Sequence, residues 1–444
     1  MVKKVTSEKS EKENHAFVSI AEAMKKGKGQ VAIRGWVHRE RGSNEFKFVV
    51  LRDASNIIQC VLKKENFKKE WNEIDKLKVE SSLEIWGEIK EDKRAPTGYE
   101  ILADKIKIVH IAEDFPINKD LNEELLGDRR HLWLRSRKMT AILKVRSTVF
   151  EAIHEYFRGN GFYEYHSPIF QSVQAEGGAT LFEVNYFKKK GVFLAQTWQL
   201  YAEPAIFALE KIYAIEPAFR AEESKTSRHL TEFWMNEMEV AWASFKDIQD
   251  YGEGLIKHIV KKVLDKNKME LEILERDVKK LEPTVKKPFP RMTYEHSLKL
   301  LKEKNMVVPF GKDLRTIEED VLSKMYDTPI VITNYPKEVK AFYMKEDEKD
   351  KRTVLGCDFI APEGYGEIIG GSEREADIEK IKKKLKDMGE NVDNYGFYLD
   401  TRKYGSVPHG GFGMGVERVI SWICGLTTIK DAIPFPRTMN RTTP

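Results

Sequence analysis

Cysteine is scarce in this chain of 444 residues: Cys60, Cys357 and Cys424 are odd in number and far apart, which excludes a disulfide framework or a zinc ligand set and points to a reducing compartment. Long apolar runs are missing as well. No stretch approaches the roughly 18 apolar residues of a membrane-spanning helix, and the first residues lack the apolar segment of a secretion signal. The expectation is a soluble, cytoplasmic protein without a membrane partner. Charge of one sign is in short supply too. With 75 basic and 71 acidic residues the net charge is only +4, so a nucleic-acid partner has to be argued from local clusters. What the chain does have is length, with 41% hydrophobic and 33% charged residues, enough for a large core divided into two or three domains.

Residues 1–15 are mostly Lys, Glu and Ser and read as a disordered tail. From Gln30 the pattern becomes β-rich, with short runs at 31–38, 46–53, 57–62, 82–90 and 99–109. Between the third and fourth, Phe67, Trp71, Ile74 and Leu77 recur at helical spacing within 64–78. Five strands with a helix after the third is the layout of an OB barrel, although the strand pattern alone also suits other small β-domains. Phe46 and Phe48 alternate on one strand beside Arg39, Arg41, Lys47 and Arg52, so their rings could stack unpaired bases, with one of the two expected in the barrel core. The domains expected are therefore a tail (1–15), an OB-fold domain (16–112), a polar linker (113–130) and a larger domain (131–444).

The larger domain opens with an amphipathic helix, Met139 to Asn160, then a strand at 162–170 that Pro168 ends or distorts. A second amphipathic helix near Asp247 to Leu264 shows no chemistry. The most unusual stretch is 217–240, in which Arg220 and Glu222, then Arg228, His229, Glu232 and Phe233, make a cation-rich hairpin with an aromatic on it. It is either a solvated surface hairpin or a nucleoside triphosphate site, where arginine forks pair with phosphate and a ring carries the base. Glu176 precedes a glycine pair that permits close ligand approach, and Gln196, Gln199 and Glu203 stand among apolar residues, where each needs a partner. Asp358, Glu363 and Glu367 offer carboxylates to a hard cation, with Arg374 close behind. Near the end, Gly411, Gly413 and Gly415 alternate along a strand that a flat purine could lie against, and Glu417-Arg418 begin an amphipathic helix.

Taken together, the helix and strand closing at Pro168, the FRAE…RHLTEF hairpin and GFGMGVER resemble the three motifs of the class II aminoacyl-tRNA synthetases. The strings EGGATLF, KAFYMK (340–345), GYGEIIGGS and YGSVPHGGFGMGVER (404–418) are most similar to the aspartyl and asparaginyl subgroup, in particular its archaeal and eukaryote-like asparaginyl members. The resemblance covers nearly all of the chain from about Gln30. It implies an α+β protein: an N-terminal OB-fold β-barrel that binds the anticodon, and a class II antiparallel sheet flanked by helices that forms a homodimer through the first motif. It implies ATP and Mg²⁺, and a ligase joining asparagine to tRNA(Asn). An aspartyl enzyme, discriminating or not, and a non-catalytic tRNA-binding paralogue are the alternatives.

The resemblance also implies roles. Arg220 would hold the α-phosphate, Glu222 the adenine edge and Phe233 its face, with Arg418 on the other side and Arg228 and His229 at the outer phosphates. Glu367, helped by Asp358, would bind Mg²⁺. Glu176, Gln196, Gln199, Glu203 and Arg374 would bind the amino acid, and Phe48 and Gln59 the anticodon. Aspartyl relatives carry a lysine at the position of Ala202, whereas here Glu203 supplies an anion that would accept from a carboxamide and repel a carboxylate. Trp198, Ala202 and Ser227 depart from the family pattern and leave the shape of the pocket and the acceptor-end contacts open.

Overall fold

Alternating burial closes the first five strands into a barrel: β1 (Gly29–Gly42), β2 (Phe46–Arg52), β3 (Ile57–Lys63), β4 (Ser82–Glu91) and β5 (Tyr99–His110), in the order β1-β2-β3-β5-β4. The computed structural model describes residues 16–117, 122–175, 180–223, 226 and 228–444; the tail, Glu176 and Ser227 lie outside the described residues. Val31, Ile33, Val49, Leu51, Ile58 and Ile85 fill the barrel. Gly35 and Gly87 let it close, since a Cβ at either would stand 2.2 Å from a carbonyl oxygen of the next strand. The amphipathic stretch at 64–78 buries Phe67, Trp71, Ile74 and Leu77, but winds only as a turn at Lys64–Asn66 and a helix at Trp71–Asp75. The carbonyls of Asp75 and Leu77 accept instead from the buried Lys47 ammonium. A helix at Ile20–Lys26 was not anticipated, although its Ser19–Glu22 capping box and the left-handed Gly27 are written in the sequence.

The chain divides into two compact units, Met1–Leu126 and Gly127–Pro444. Arg130, expected to close a linker, is built into the second unit: it is buried and donates to Asp431 and to the carbonyls of Lys430, Ile433 and Pro434. The second unit is organised on an eight-stranded sheet. Its strands are β6 (Tyr163–Glu164), β9 (Lys211–Phe219), β10 (Glu232–Ala241), β11 (Arg291–Thr293), β12 (Ile330–Thr333), β13 (Gly356–Ala361), β14 (Gly366–Glu373) and β15 (His409–Gly415). The order is β11-β12-β13-β14-β15-β10-β9-β6, antiparallel across the six central strands and parallel only at the two edge pairs.

One face of this sheet is covered by the helices Arg137–Gly159, Phe245–Lys266 and Val416–Cys424, whose Val145, Val149, Ile256, Ile259 and Ile420 form the main core with Met238, Ile369 and Phe412 of the sheet. Ser136 and Ser244 cap the first two helices. The strand expected at 162–170 is broken. Pro168 has no N–H to give, and that of Ser167 goes to the Glu216 carboxylate, so the chain re-forms only as β7 (Phe170–Gln171) against β8 (Phe193–Leu194).

Candidate functional site

The other face of the sheet carries the polar residues. Along β10 the alternation places Phe233, Met235, Glu237 and Glu239 on that face, opposite Gly415, Gly413 and Gly411 of β15. The glycines are required there: a Cβ on Gly411 would lie 2.3 Å from Glu239 Oε2, and one on Gly413 would lie 2.5 Å from Met235 Cε. The floor is therefore bare backbone between two rows of side chains.

At one end, Arg220, Glu222, Arg228, His229, Phe233, Glu367 and Arg418 line a single cavity of about 110 Å³ with Gly413 and Gly415. It adjoins a cavity of about 450 Å³ that shares Arg228, His229, Glu367 and Arg418 and adds Arg315 and Glu319. Arg220 is aligned by its ring contact with Phe233, its guanidinium carbon 5.5 Å from the centroid, yet its buried Nε has no hydrogen-bond partner. An unmet cationic donor in a polar cleft suits an anion. Arg418 donates to the Glu367 carbonyl at 2.9 Å, and Arg228 donates to the Gly364 carbonyl. Burial depresses the His229 imidazole, partly offset by Glu222 at 3.4 Å.

The carboxylates of Glu367 and Asp358 converge over Gly370, where a Cβ would stand 3.0 Å and 3.7 Å from their oxygens. Oxygen donors with surplus negative charge fit a hard divalent cation. Asp358 is already paired with Lys340 at 2.6 Å, and burial pushes its carboxyl up to about 6. Glu319 joins them, pushed up to about 7 by burial and then by Glu367 and Asp358. Sequence reasoning passed over Glu319 because it lies in an ordinary-looking acidic helix, Thr316–Ser323. Glu363, the other carboxylate considered, is instead bound by Arg276 and Lys280.

The opposite end is closed. Glu203 is fully buried, and its carboxylate meets Arg402 Nη2 at 2.6 Å, Gln199 Nε2 at 2.9 Å, His409 Nε2 at 3.1 Å and the Tyr398 hydroxyl at 3.2 Å. Its acceptor positions are taken, so the expected direct bond from Glu203 to a carboxamide gives way to a role behind the site wall. Burial opposes its charge, but Arg402 and His409 outweigh burial and hold the carboxyl well below the usual range. Arg374 forks onto both oxygens of Glu239, at 3.0 and 2.7 Å, and onto Ser372 at 2.7 Å, which leaves one N–H on each terminal nitrogen. Glu203, Glu239 and His409 present ligand atoms within 4.8 Å of one another, but two guanidinium groups already supply the positive charge a metal would bring. Gln196 donates to Thr180 at 2.9 Å. Trp198 is turned away, its indole N–H on the Tyr165 carbonyl, and it packs with Ala202 in a small core, so these two departures do not face the site.

Glu239, Arg402, His409 and Tyr398 were missed. The signal for Arg402 was available: with Tyr395, Tyr398 and Leu399 it falls on the apolar stripe of the helix Gly396–Lys403, where a charge needs a buried partner. Glu417 was likewise read only as part of a motif. It is buried, bound by Arg146 at 2.6 Å and by the Trp234 N–H at 2.9 Å, and so ties the start of the Arg418 helix to β10.

In the barrel, neither phenylalanine of β2 is in the core, contrary to the expectation for one of them. Phe46 and Phe48 share the outer face while Val49 and Leu51 point inward. The Arg41 guanidinium lies 5.0 Å from the Phe48 centroid, and Gln59 is buried beside them, donating to Glu100 at 3.0 Å.

The family of tRNA synthetases class II (D, K and N) matches residues 122–439, and the OB-fold nucleic acid binding domain matches residues 31–109. An asparagine–tRNA ligase of Thermoplasma acidophilum is 45% identical over 96% of this chain and 100% of its own length. One of Thermococcus kodakarensis is 44% identical over 94% and 96%. The crystal structure of asparaginyl-tRNA synthetase from Pyrococcus horikoshii complexed with asparaginyl-adenylate superposes with a TM-score of 0.92 at 42% identity, covering 96% of this chain and 99% of that one.

Proposed function

Because this chain belongs to the class II tRNA synthetases of the D, K and N group, with an OB-fold nucleic-acid-binding domain, we propose that it activates asparagine with ATP and transfers it to tRNA(Asn). One observation carries the chemistry: seven residues scattered from Arg220 to Arg418 converge on one cleft, in which the buried Nε of Arg220 has no hydrogen-bond partner among the described residues. The likeness to asparagine–tRNA ligases over nearly the full chain favours asparagine over the aspartyl reading.

In this reading the adenine rests on Phe233 with its edge toward Glu222, and Arg220 pairs with the α-phosphate. Arg228, His229 and Arg418 meet the outer phosphates. The asparagine carboxylate attacks the α-phosphorus, diphosphate leaves, and the ribose hydroxyl at the tRNA end then takes the acyl group, releasing AMP. No side chain acts as nucleophile; alignment and neutralisation of developing charge lower the barrier. Glu367, with Asp358 and Glu319 beside it, would hold Mg²⁺, which when bound supplies positive charge to the phosphates. Gln196, Gln199 and Arg374 would form the amino-acid end together with Glu176. Phe48, with Gln59 beneath, would receive an anticodon base, residues 16–112 forming the anticodon domain and 131–444 the catalytic one.

A homodimer in the cytoplasm belongs to the same proposal. Tyr163, Phe170 and Phe187, large apolar side chains exposed before and after Pro168, support a partner subunit there. No helix among the described residues is long and apolar enough to cross a membrane. The test is transfer of labelled asparagine to a tRNA(Asn) transcript. ATP-dependent, RNA-bound label is the expected outcome, and labelling with aspartate but not asparagine would replace this reading.

A further inference from the structure

A lysine stands among the carboxylates that converge over Gly370. Lys340, just after the turn Lys337–Val339, keeps only 13% of its side-chain surface exposed. Its ammonium lies 3.9 Å from the centroid of the Tyr335 ring, which is itself buried, and donates to Asp358 Oδ2 at 2.6 Å. Burial works against the charge, but Asp358, Asp313 and Glu367 outweigh it and hold the ammonium above the usual lysine range. The lysine is therefore a permanent cation, fixed on one side by a ring face and on the other by a carboxylate.

The oxygen it takes decides what is left for a metal ion. Asp358 of β13 lies opposite Gly370 of β14. With Oδ2 on the lysine, Oδ1 is the oxygen turned toward Gly370, where Glu367 Oε1 also points: a Cβ there would stand 3.7 Å from the first and 3.0 Å from the second. A cation over Gly370 can therefore take one oxygen from Asp358 but not both. The same contact lowers the negative charge of a crowded cluster, in which Glu319 is pushed up to about 7 by burial and by Glu367 and Asp358. Arg418, 3.8 Å from Glu367 Oε2, offsets part of what remains. Single oxygens of a partly neutralised cluster make a poor cage for Mg²⁺, which demands six ligands in a near-ideal octahedron and takes the rest from water and phosphate.

We propose that Lys340 is a positioning residue that keeps this cluster a weak site for Mg²⁺: by occupying one Asp358 oxygen and cancelling one negative charge, it lets the ion be held firmly only together with the ATP phosphates and released with diphosphate. This rests on the reading of Glu367 and Asp358 as the carboxylates that face the nucleotide's metal. Without the lysine, the protein would keep its grip on the ion when diphosphate is due to leave. Removing it frees the second oxygen of Asp358 and restores one negative charge within a few ångströms of the ion, which is worth about tenfold or more in affinity. The direction of this effect separates it from a merely structural role, because loss of a group that only supports its neighbours weakens metal binding.

The experiment titrates the whole chain with Mn²⁺, read by the electron paramagnetic resonance of the free ion, with and without an ATP analogue whose α,β bridge is a methylene. Wild type should bind Mn²⁺ about tenfold or more tightly with the analogue than without it. Lys340→Met removes both the charge and the donor, and Lys340→Gln, whose amide can still donate to Asp358, isolates the charge. Without the analogue, each should bind Mn²⁺ about tenfold or more tightly than wild type does. Adding Asp358→Asn to Lys340→Met should abolish the gain, which locates the ion. Folded variants that bind Mn²⁺ no more tightly than wild type, or a gain that survives Asp358→Asn, overturn the proposal. If neither variant folds, wild type decides: Mn²⁺ held as tightly without the bound analogue as with it overturns the proposal, and a tenfold difference supports it. Failure of the underlying functional reading looks different: calorimetry then detects no binding of the analogue to folded wild type.

Discussion

The two ends of the cleft are built in opposite ways. At the end proposed for the nucleotide the charged side chains are held loosely: Arg418 and Glu367 keep 36% and 38% of their side-chain surface exposed, and Arg220 leaves a donor unmet. At the end proposed for the amino acid the side chains of Arg402 and Glu203 have no exposure at all, and each charge is paired. A triphosphate brings its own charge and leaves as diphosphate, so groups that bind it gain from staying available. A carboxamide differs from a carboxylate only in an NH₂ where the acid has a second oxygen, so a wall proposed to distinguish them has to hold its charges in one arrangement.

The contrast is most directly broken by a pair of substitutions read for stability. Arg402→Gln strands the Glu203 carboxylate in the interior and should cost about 3–5 kcal/mol in denaturant unfolding, the usual penalty for breaking a buried pair from one side. Arg418→Gln, at the exposed end, should cost no more than about 1 kcal/mol. Equal losses would mean that the two ends do not differ as described. Function should show the reverse emphasis. Arg220→Ala removes the donor proposed to meet the α-phosphate and should lower exchange about a hundredfold, roughly 3 kcal/mol, with an unchanged melting temperature. Exchange preserved within a few fold would remove Arg220 from the reaction.

Glu203→Gln sharpens the comparison further. It leaves Arg402 unpaired and adds net positive charge to the wall, so asparagine use should weaken by about tenfold and aspartate should become a better substrate. The wild-type carboxylate is held below its unfolded value of 4.5, so its contribution to stability is present above that pH and is lost as pH falls toward the folded value. Acid unfolding of Glu203→Gln should therefore depend less on pH in that window, as followed by circular dichroism. The smallest effect is expected away from the cleft. Phe48→Ala should weaken tRNA charging by about 1–3 kcal/mol, the value of one stacked base, and leave exchange and melting unchanged because the ring is outside the core. A fall in melting temperature would return Phe48 to the barrel interior.

The open end was far more legible in the sequence than the closed one. The residues proposed to face the nucleotide lie on a hairpin, on β14 and at the start of the helix that follows the glycine-alternating strand, where local pattern and spacing reveal the face, and all seven line one cavity. The closed end is made by contacts that join Glu203 to His409 and Arg402, about two hundred residues later, and Glu239 to Arg374. No local period links them. Only Arg402, a charge on an apolar stripe, and the alternating acids Glu237 and Glu239 betray that something buried is charged. The barrel shows the same division: its five strands follow from alternation and turn residues, while the choice of Lys47 rather than a phenylalanine for a buried position depends on carbonyls at Asp75 and Leu77 that tertiary folding brings there.

In the proposed reading one open end binds ATP while one closed end admits a single amino acid. ATP–diphosphate exchange, run with each of the twenty amino acids in turn near pH 8, tests it most directly. Exchange with asparagine and with no other amino acid is the expected result; exchange driven by aspartate as well as by asparagine at that pH, or by neither, would overturn this reading.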